Sequence, residues 1–159
     1  MGAELPPDLY RGERVLVSAC LLGEEVRYDG GSKHAPVLLR ALEAAGAVPV
    51  PVCPEVLGGL GVPRPAAEIR GGDGEAVLAG TARVCTVEEG RDCTEAFLAG
   101  ARAACAAARE HRIRYAFLQR RSPSCGPVST HADGGLVSGP GVAAAALRRA
   151  GVRVIPAGE

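Results

Sequence analysis

The chain reads as an α/β protein: a single three-layer open sheet, mostly parallel and Rossmann- or flavodoxin-like, with a small β-hairpin excursion. Three observations predict this. Apolar runs at 14–19, 47–52, 114–118 and 152–156 have the length and composition of buried strands. Segments with helical spacing, rich in alanine and leucine, alternate with them. The resulting order is strand, helix, strand, excursion, helix, strand, helix, strand, which implies right-handed crossovers between parallel strands.

RVLVSA (14–19) is the first buried strand, followed by the glycine-rich loop GEEVRYDGGSKHA. Pro36 suits the first turn of the next helix, VLLRALEAAG, and Gly46 suits its end. AVPVPV (47–52) is apolar, but Pro49 and Pro51 cannot donate ladder hydrogen bonds, so an edge position or a local irregularity is expected. Residues 54–74 are rich in Gly and Pro and read as a functional loop. EAVLAGTARVCTV (75–87) reads as a short hairpin with Ala79-Gly80 at its turn. Asp92 and Glu95 have capping-box spacing ahead of a helix over Thr94–His111. RYAFL (114–118) is the third parallel strand. The stretch SPSCGPVSTHADGGLVSG reads as a loop, Ser138 or Gly139 caps a last helix with Pro140 in its first turn, and VRVIP closes the sheet.

The 159 residues are expected to form one domain over 1–159, with a core from about 13. An apolar share of 47% and zero formal net charge exclude a disordered chain and give no general case for nucleic-acid binding. Arg109, Arg112, Arg114, Arg120 and Arg121 form one local basic run, read as a solvated helix end. Arginine outnumbers lysine 17 to 1, a pattern expected from genomic base composition before thermostability. No stretch is long enough to span a bilayer, and MGAELPPDLYRGERV lacks a secretion-signal layout, so the expected location is cytoplasmic.

Six cysteines in such a chain favour metal or catalytic chemistry over disulfides. Cys20, Cys53 and Cys125 each lie where an expected strand enters a Gly/Pro-rich loop. In an open parallel sheet these carboxyl ends share one edge, where ligands bind. Three thiols there suggest a metal or cluster site with one coordination position open. Structural zinc normally takes four protein ligands, often in close C-x₂₋₄-C pairs, and no such pair exists here. Thiolates from three separate strands suit a cubane iron–sulfur cluster better. Cys105, inside RAACAAAR, reads as a small apolar core residue. Cys85 and Cys93 also read as structural, although a disulfide between them is possible in principle.

Four segments, SACLLGEEVRYDGGSK, PVCPEVLGGLGVPRPAAEI, RSPSCG and DGGLVSGPGVAAAALRRAGVRV, together resemble the DUF523 family, whose characterised members are the TudS thiouracil desulfidases. The resemblance runs from about residue 13 to the end. It implies a [4Fe-4S] cluster held by Cys20, Cys53 and Cys125, with the fourth iron open to a thiocarbonyl sulfur. It also implies a catalytic glutamate, matching Glu55, and a catalytic serine, best matched by Ser122 with Ser124 as the nearby competitor. The expected partner is a small thiolated nucleobase of the 2-thiouracil kind, turned over to the oxo product and hydrogen sulfide. Nucleic acid is not required, and thiolated tRNA is a possible partner without support in the residues.

Other candidates come from the residues themselves. Arg27 and Tyr28 suit stacking on, or hydrogen bonding to, a planar base, and Asp29 suits an Asx turn. Lys33, beside His34, and Arg64 are candidate substrate contacts, Arg64 alternatively pairing with Glu68. GGLG lacks the pattern of a phosphate loop. His111 and His131 show no ligand spacing and are expected on the surface. Two rival readings stay open: a metal-free enzyme that forms a persulfide on one cysteine, and a non-catalytic metal or cluster carrier.

Overall fold

In a computed structural model, which describes residues 5–158, β1 (Arg14–Ser18) and β5 (Tyr115–Gln119) form the centre of a four-stranded parallel sheet. Residues 1–4, where the N-terminal stretch read above begins, and residue 159 lie outside the described residues. β2 (Val48–Val52) flanks β1 and β8 (Arg153–Ala157) flanks β5, giving the order β2-β1-β5-β8. Pro49, Pro51 and Pro156 therefore all fall on edge strands, where a missing ladder donor is tolerated. Central β1 and β5 are near-continuous apolar runs because both of their faces are covered.

Helices cover the two faces. On one, Val15, Val17 and Phe117 pack against Leu38 and Leu42 of α1 (Pro36–Ala45). α1 begins at Pro36 and ends at Gly46, whose φ of 72° suits glycine at a helix end. On the other face, Leu16, Ala116 and Leu118 meet Ala104 and Ala108 of α4 (Thr94–Glu110) and Ala144 and Leu147 of α5 (Val142–Arg149). Alternate residues of each strand thus feed two cores, and burying a leucine such as Leu16 or Leu42 contributes about 1.5–3 kcal/mol.

The excursion is larger than expected. β3 (Ala67–Arg70), β4 (Arg83–Thr86), β6 (Ser129–Ala132) and β7 (Gly135–Ser138) form a second sheet in the order β4-β3-β6-β7. The expected hairpin over 75–87 is not present: its first half is the helix α3 (Gly74–Leu78). Asp73 caps it, accepting from the Ala76 N–H at 3.0 Å, and Val77 is buried in a core with Ile69, Val84 and Phe97. β4 pairs instead with β3, antiparallel. The hairpin of this sheet is β6–β7, inside the stretch read as a loop. Residues 54–74 likewise hold the short helix α2 (Pro54–Leu57) as well as β3.

Two helix starts also differ from expectation. Cys93, not Asp92, is the N-cap of α4, and the Asp92 carboxylate accepts from the Thr94 N–H at 2.9 Å. α5 begins after Gly141, because the preceding residues to Ser138 are committed to β7.

Candidate functional site

The chain leaves β1 through α1 to β2 on one side, then returns past β1 to β5 on the other. The strand order thus reverses between β1 and β5, which opens a crevice at their carboxyl ends. A cavity of about 490 Å³ lies there, with the second sheet as its opposite wall. Cys20, Cys53 and Cys125 all line it.

Each thiol is seated differently. Cys20 lies in a 3₁₀ turn, Ala19–Leu22, closed by Gly23 in the left-handed region at φ 92°. Its carbonyl accepts from the Lys33 N–H at 2.9 Å, so the glycine-rich loop folds back to the thiol. Cys53 is extended and caps α2, with Pro54 at the first helical position. Its Sγ–H is directed at the Val26 carbonyl, 3.9 Å away. α2 is seated backbone to backbone on α4: a Cβ on Gly58 would strike the Ala96 carbonyl, and one on Gly100 the Pro54 carbonyl. The GGLG glycine at 58 therefore serves helix packing, and the packing sets where Cys53 and Glu55 stand.

Cys125 is the most enclosed of the three, at 6% exposed. The Ser122 hydroxyl oxygen accepts from the N–H groups of Ser124 and Cys125, both at 3.1 Å. The Pro123 and Ser124 carbonyls in turn accept from the Val142 and Ala144 N–H groups at 2.8 and 3.0 Å, so this loop caps α5.

Burial pushes the Cys125 thiol up to about 12, against the pull of a hydrogen bond with Ser18, and the neighbouring Cys20 and Cys53 push it further. Cys20 is raised to about 11 by burial first and by Cys53 second. Cys53 is also raised by burial. Mutual repulsion among these thiols requires that they be neighbours. Among the described residues, however, no three His, Cys, Asp or Glu side chains converge tightly enough for a single ion. Three thiolates on one zinc at ~2.3 Å would stand about 3.8 Å apart. Cluster ligands bind separate irons and stand wider. Three thiols facing one cavity are soft donors of the kind a cluster takes.

Glu55, in the first turn of α2, lies between two donors. Arg64 Nε donates to Oε1 at 3.0 Å, and the Ser124 hydroxyl donates to Oε2 at 3.2 Å. The Ser122 and Ser124 hydroxyls are 3.0 Å apart, so a chain of hydroxyls ends on the carboxylate. Of the two Arg64 alternatives, the pairing with Glu68 does not occur: Arg64 pairs with Glu55, while Glu68 takes Arg70 at 3.4 Å and the Gly134 N–H at 2.7 Å.

Arg27, Tyr28 and Lys33 line the cavity. The Arg27 guanidinium lies 5.4 Å from the Tyr28 ring centroid and pairs with Asp29 at 3.2 Å. Asp29 makes the expected Asx turn, accepting from the Gly31 N–H at 2.9 Å. His34 is not in the cavity wall; its ring stands against Gly23.

Several wall residues escaped the sequence reading. Gln119, Arg120 and Arg121 follow β5 directly, and Glu68 and His131 come from the second sheet. The basic run is a solvated helix end only in part: Arg109 and Arg112 are exposed at the end of α4, but Arg120 and Arg121 line the cavity and Arg114 pairs with Glu13 at 2.8 Å. His131 is exposed but faces the site, and His111 is half-buried. Five cationic side chains line the wall against two carboxylates, which lowers the cost of gathering thiolates there. Cys85, Cys93 and Cys105 lie outside the cavity wall and are free thiols.

Comparison with known proteins agrees with this geometry. The 2-thiouracil desulfurase family model matches residues 15–159. The chain is 41% identical over 148 residues to the uncharacterised protein YbbK of Bacillus subtilis (strain 168), covering 91% of this chain and 96% of that one. It also resembles a solved structure of TudS (DUF523Vcz), a [4Fe-4S]-dependent thiouracil desulfidase. The TM-score is 0.76 and the identity 42%, over 91% of this chain and 90% of that one. A match over nearly the whole length, with the three cysteines gathered at one crevice, places the chain in the 2-thiouracil desulfurase family of enzymes.

Proposed function

We propose that the chain is a [4Fe-4S]-dependent desulfidase. It would remove sulfur from the thiocarbonyl of a thiolated nucleobase such as 2-thiouracil, giving the oxo product and hydrogen sulfide. The observation that carries this is the placement of Cys20, Cys53 and Cys125 on one cavity at the switch point of the sheet. These three thiolates would hold the cluster. When bound, it supplies an iron without a protein ligand, a Lewis acid with affinity for sulfur.

The rest of the reaction falls to the chain's own residues. The net change is C=S plus water to C=O plus H₂S, with no electron gained or lost. Glu55 accepts a proton from the water that attacks the thiocarbonyl carbon. The C–S bond breaks, and both water protons finally leave with the sulfur. Ser124, bonded to Glu55, and Ser122, bonded to Ser124, form the path along which a proton moves. Arg27, Tyr28 and Lys33 hold the substrate at the other side of the crevice, Tyr28 offering a ring face to a planar base. Gly58 and Gly100 hold α2, and with it Glu55, at a set depth.

The metal-free persulfide reading fits less well. Burial raises all three cavity thiols, which disfavours the thiolate that a metal-free nucleophile needs. Anaerobic reconstitution tests the proposal: about four irons per chain and absorbance near ~400 nm, with sulfide released from 2-thiouracil. Sulfide release by iron-free protein would support the persulfide enzyme instead. A loaded protein that transfers its cluster and releases none would be a carrier.

A further inference from the structure

Arg64 sits where three segments meet. Its backbone N–H donates to the Tyr28 carbonyl at 2.8 Å. Its Nε donates to Glu55 Oε1 at 3.0 Å, and its Nη1 to the Gly61 carbonyl at 3.1 Å. The Arg64 side chain is 6% exposed and that of Glu55 14%. With Ser124 on Oε2, each carboxylate oxygen has its own donor. A glutamate side chain turns about several bonds. Two donors, one per oxygen, fix both the place and the plane of its carboxylate.

We infer that Arg64 is a positioning residue: it holds the Glu55 carboxylate in the orientation from which it meets the attacking water, and it does not bind substrate. This rests on the role given to Glu55 above. Arg64 belongs to the cavity wall, but two of its three side-chain nitrogens are already engaged within the protein and its side chain is only 6% exposed. Lys33 and Arg121, by contrast, face the cavity with no ion pair to a carboxylate among the described residues. The planar guanidinium also serves two acceptors at fixed angles, which a lysine ammonium does not reproduce.

The test uses reconstituted protein and four measurements: steady-state turnover of 2-thiouracil, calorimetric binding of uracil, iron content and thermal midpoint. Arg64→Gln is expected to lower kcat about 100-fold, the scale of a misplaced catalytic group. KM, uracil affinity and iron content should stay at the wild-type level. Arg64→Lys should recover part of kcat, since charge returns without the planar fork. The double variant Arg64→Gln/Glu55→Gln should be no slower than Glu55→Gln alone, because two residues acting as one unit do not lose twice. It should also melt higher than Arg64→Gln, in which the Glu55 charge has lost its partner.

Weakened uracil binding in Arg64→Gln, or a raised KM at unchanged kcat, would make Arg64 a substrate contact and overturn the inference. Losses that multiply in the double variant would overturn it too. A slow Glu55→Gln beside a fully active Arg64→Gln removes Arg64 alone. A fully active Glu55→Gln removes the Glu55 assignment, and the positioning role falls with it.

Discussion

At the amino end of the parallel sheet, the Glu13 side chain is 2% exposed and wholly occupied. Arg114 donates to both of its oxygens at 2.8 Å, and the Tyr10 N–H adds a third bond at 3.2 Å. Arg114 also reaches Asp8 at 2.9 Å, Tyr115 donates to the same carboxylate, and the guanidinium lies 5.6 and 5.1 Å from the Tyr10 and Tyr115 rings. At the carboxyl end, three thiols, Lys33 and Arg121 line an open cavity.

The contrast is this: at the amino end the polar groups satisfy one another, while at the carboxyl end Cys20, Cys53, Cys125, Lys33 and Arg121 face a cavity. A buried polar cluster whose valences are all taken stabilises the fold. One with valences left over is built to receive something.

Substitutions at the two ends should therefore fail in different ways. The largest effect is expected from Cys125→Ala: loss of bound iron and of sulfide release, with the protein still folded by circular dichroism. Full iron content and activity in this variant would remove Cys125 from the ligand set.

Arg114→Ala should do the reverse. It leaves Glu13 buried without its partner and should lower the midpoint of denaturant unfolding, while iron content is unchanged. Acid sharpens the comparison. Hydrogen bonds from Arg114 hold Glu13 below its ordinary 4.5, so the stability they confer is complete above that pH and is lost as pH falls through the native value. In Arg114→Ala, burial without a partner raises Glu13 instead, so this contribution should grow on acidification. Unfolding curves between pH 7 and pH 3 with the same slope for both proteins would refute the pairing argument. The smallest effect belongs to Cys105→Ala, expected to cost under about 1 kcal/mol and leave iron binding intact.

The parallel sheet and the three cysteines were legible in the sequence because their signals are local. Cys20 and Cys53 close an apolar run, Cys125 lies shortly past one, each has glycine or proline close behind it, and Pro49 and Pro51 announce an edge. The second sheet was not legible. Its strands are four residues long, and β3 meets β6 through Ile69 and Ala132, far apart in the chain. The Arg64 partner was hidden for a related reason. Glu68 is nearer in sequence than Glu55, but α2 and the turn after it bring Glu55 to the guanidinium. Gln119, Arg120 and Arg121 became site residues only once β5 was seen to end at the crevice.

The loop that carries Cys125 is completed by protein alone: Ser122 serves two of its N–H groups, and α5 takes its carbonyls. Its shape does not wait for iron. Small metal-folded domains collapse when stripped, whereas a seat built this way outlasts its occupant. Oxidative loss of the proposed cluster would then be an injury the protein survives, and repair would need only reloading, not refolding.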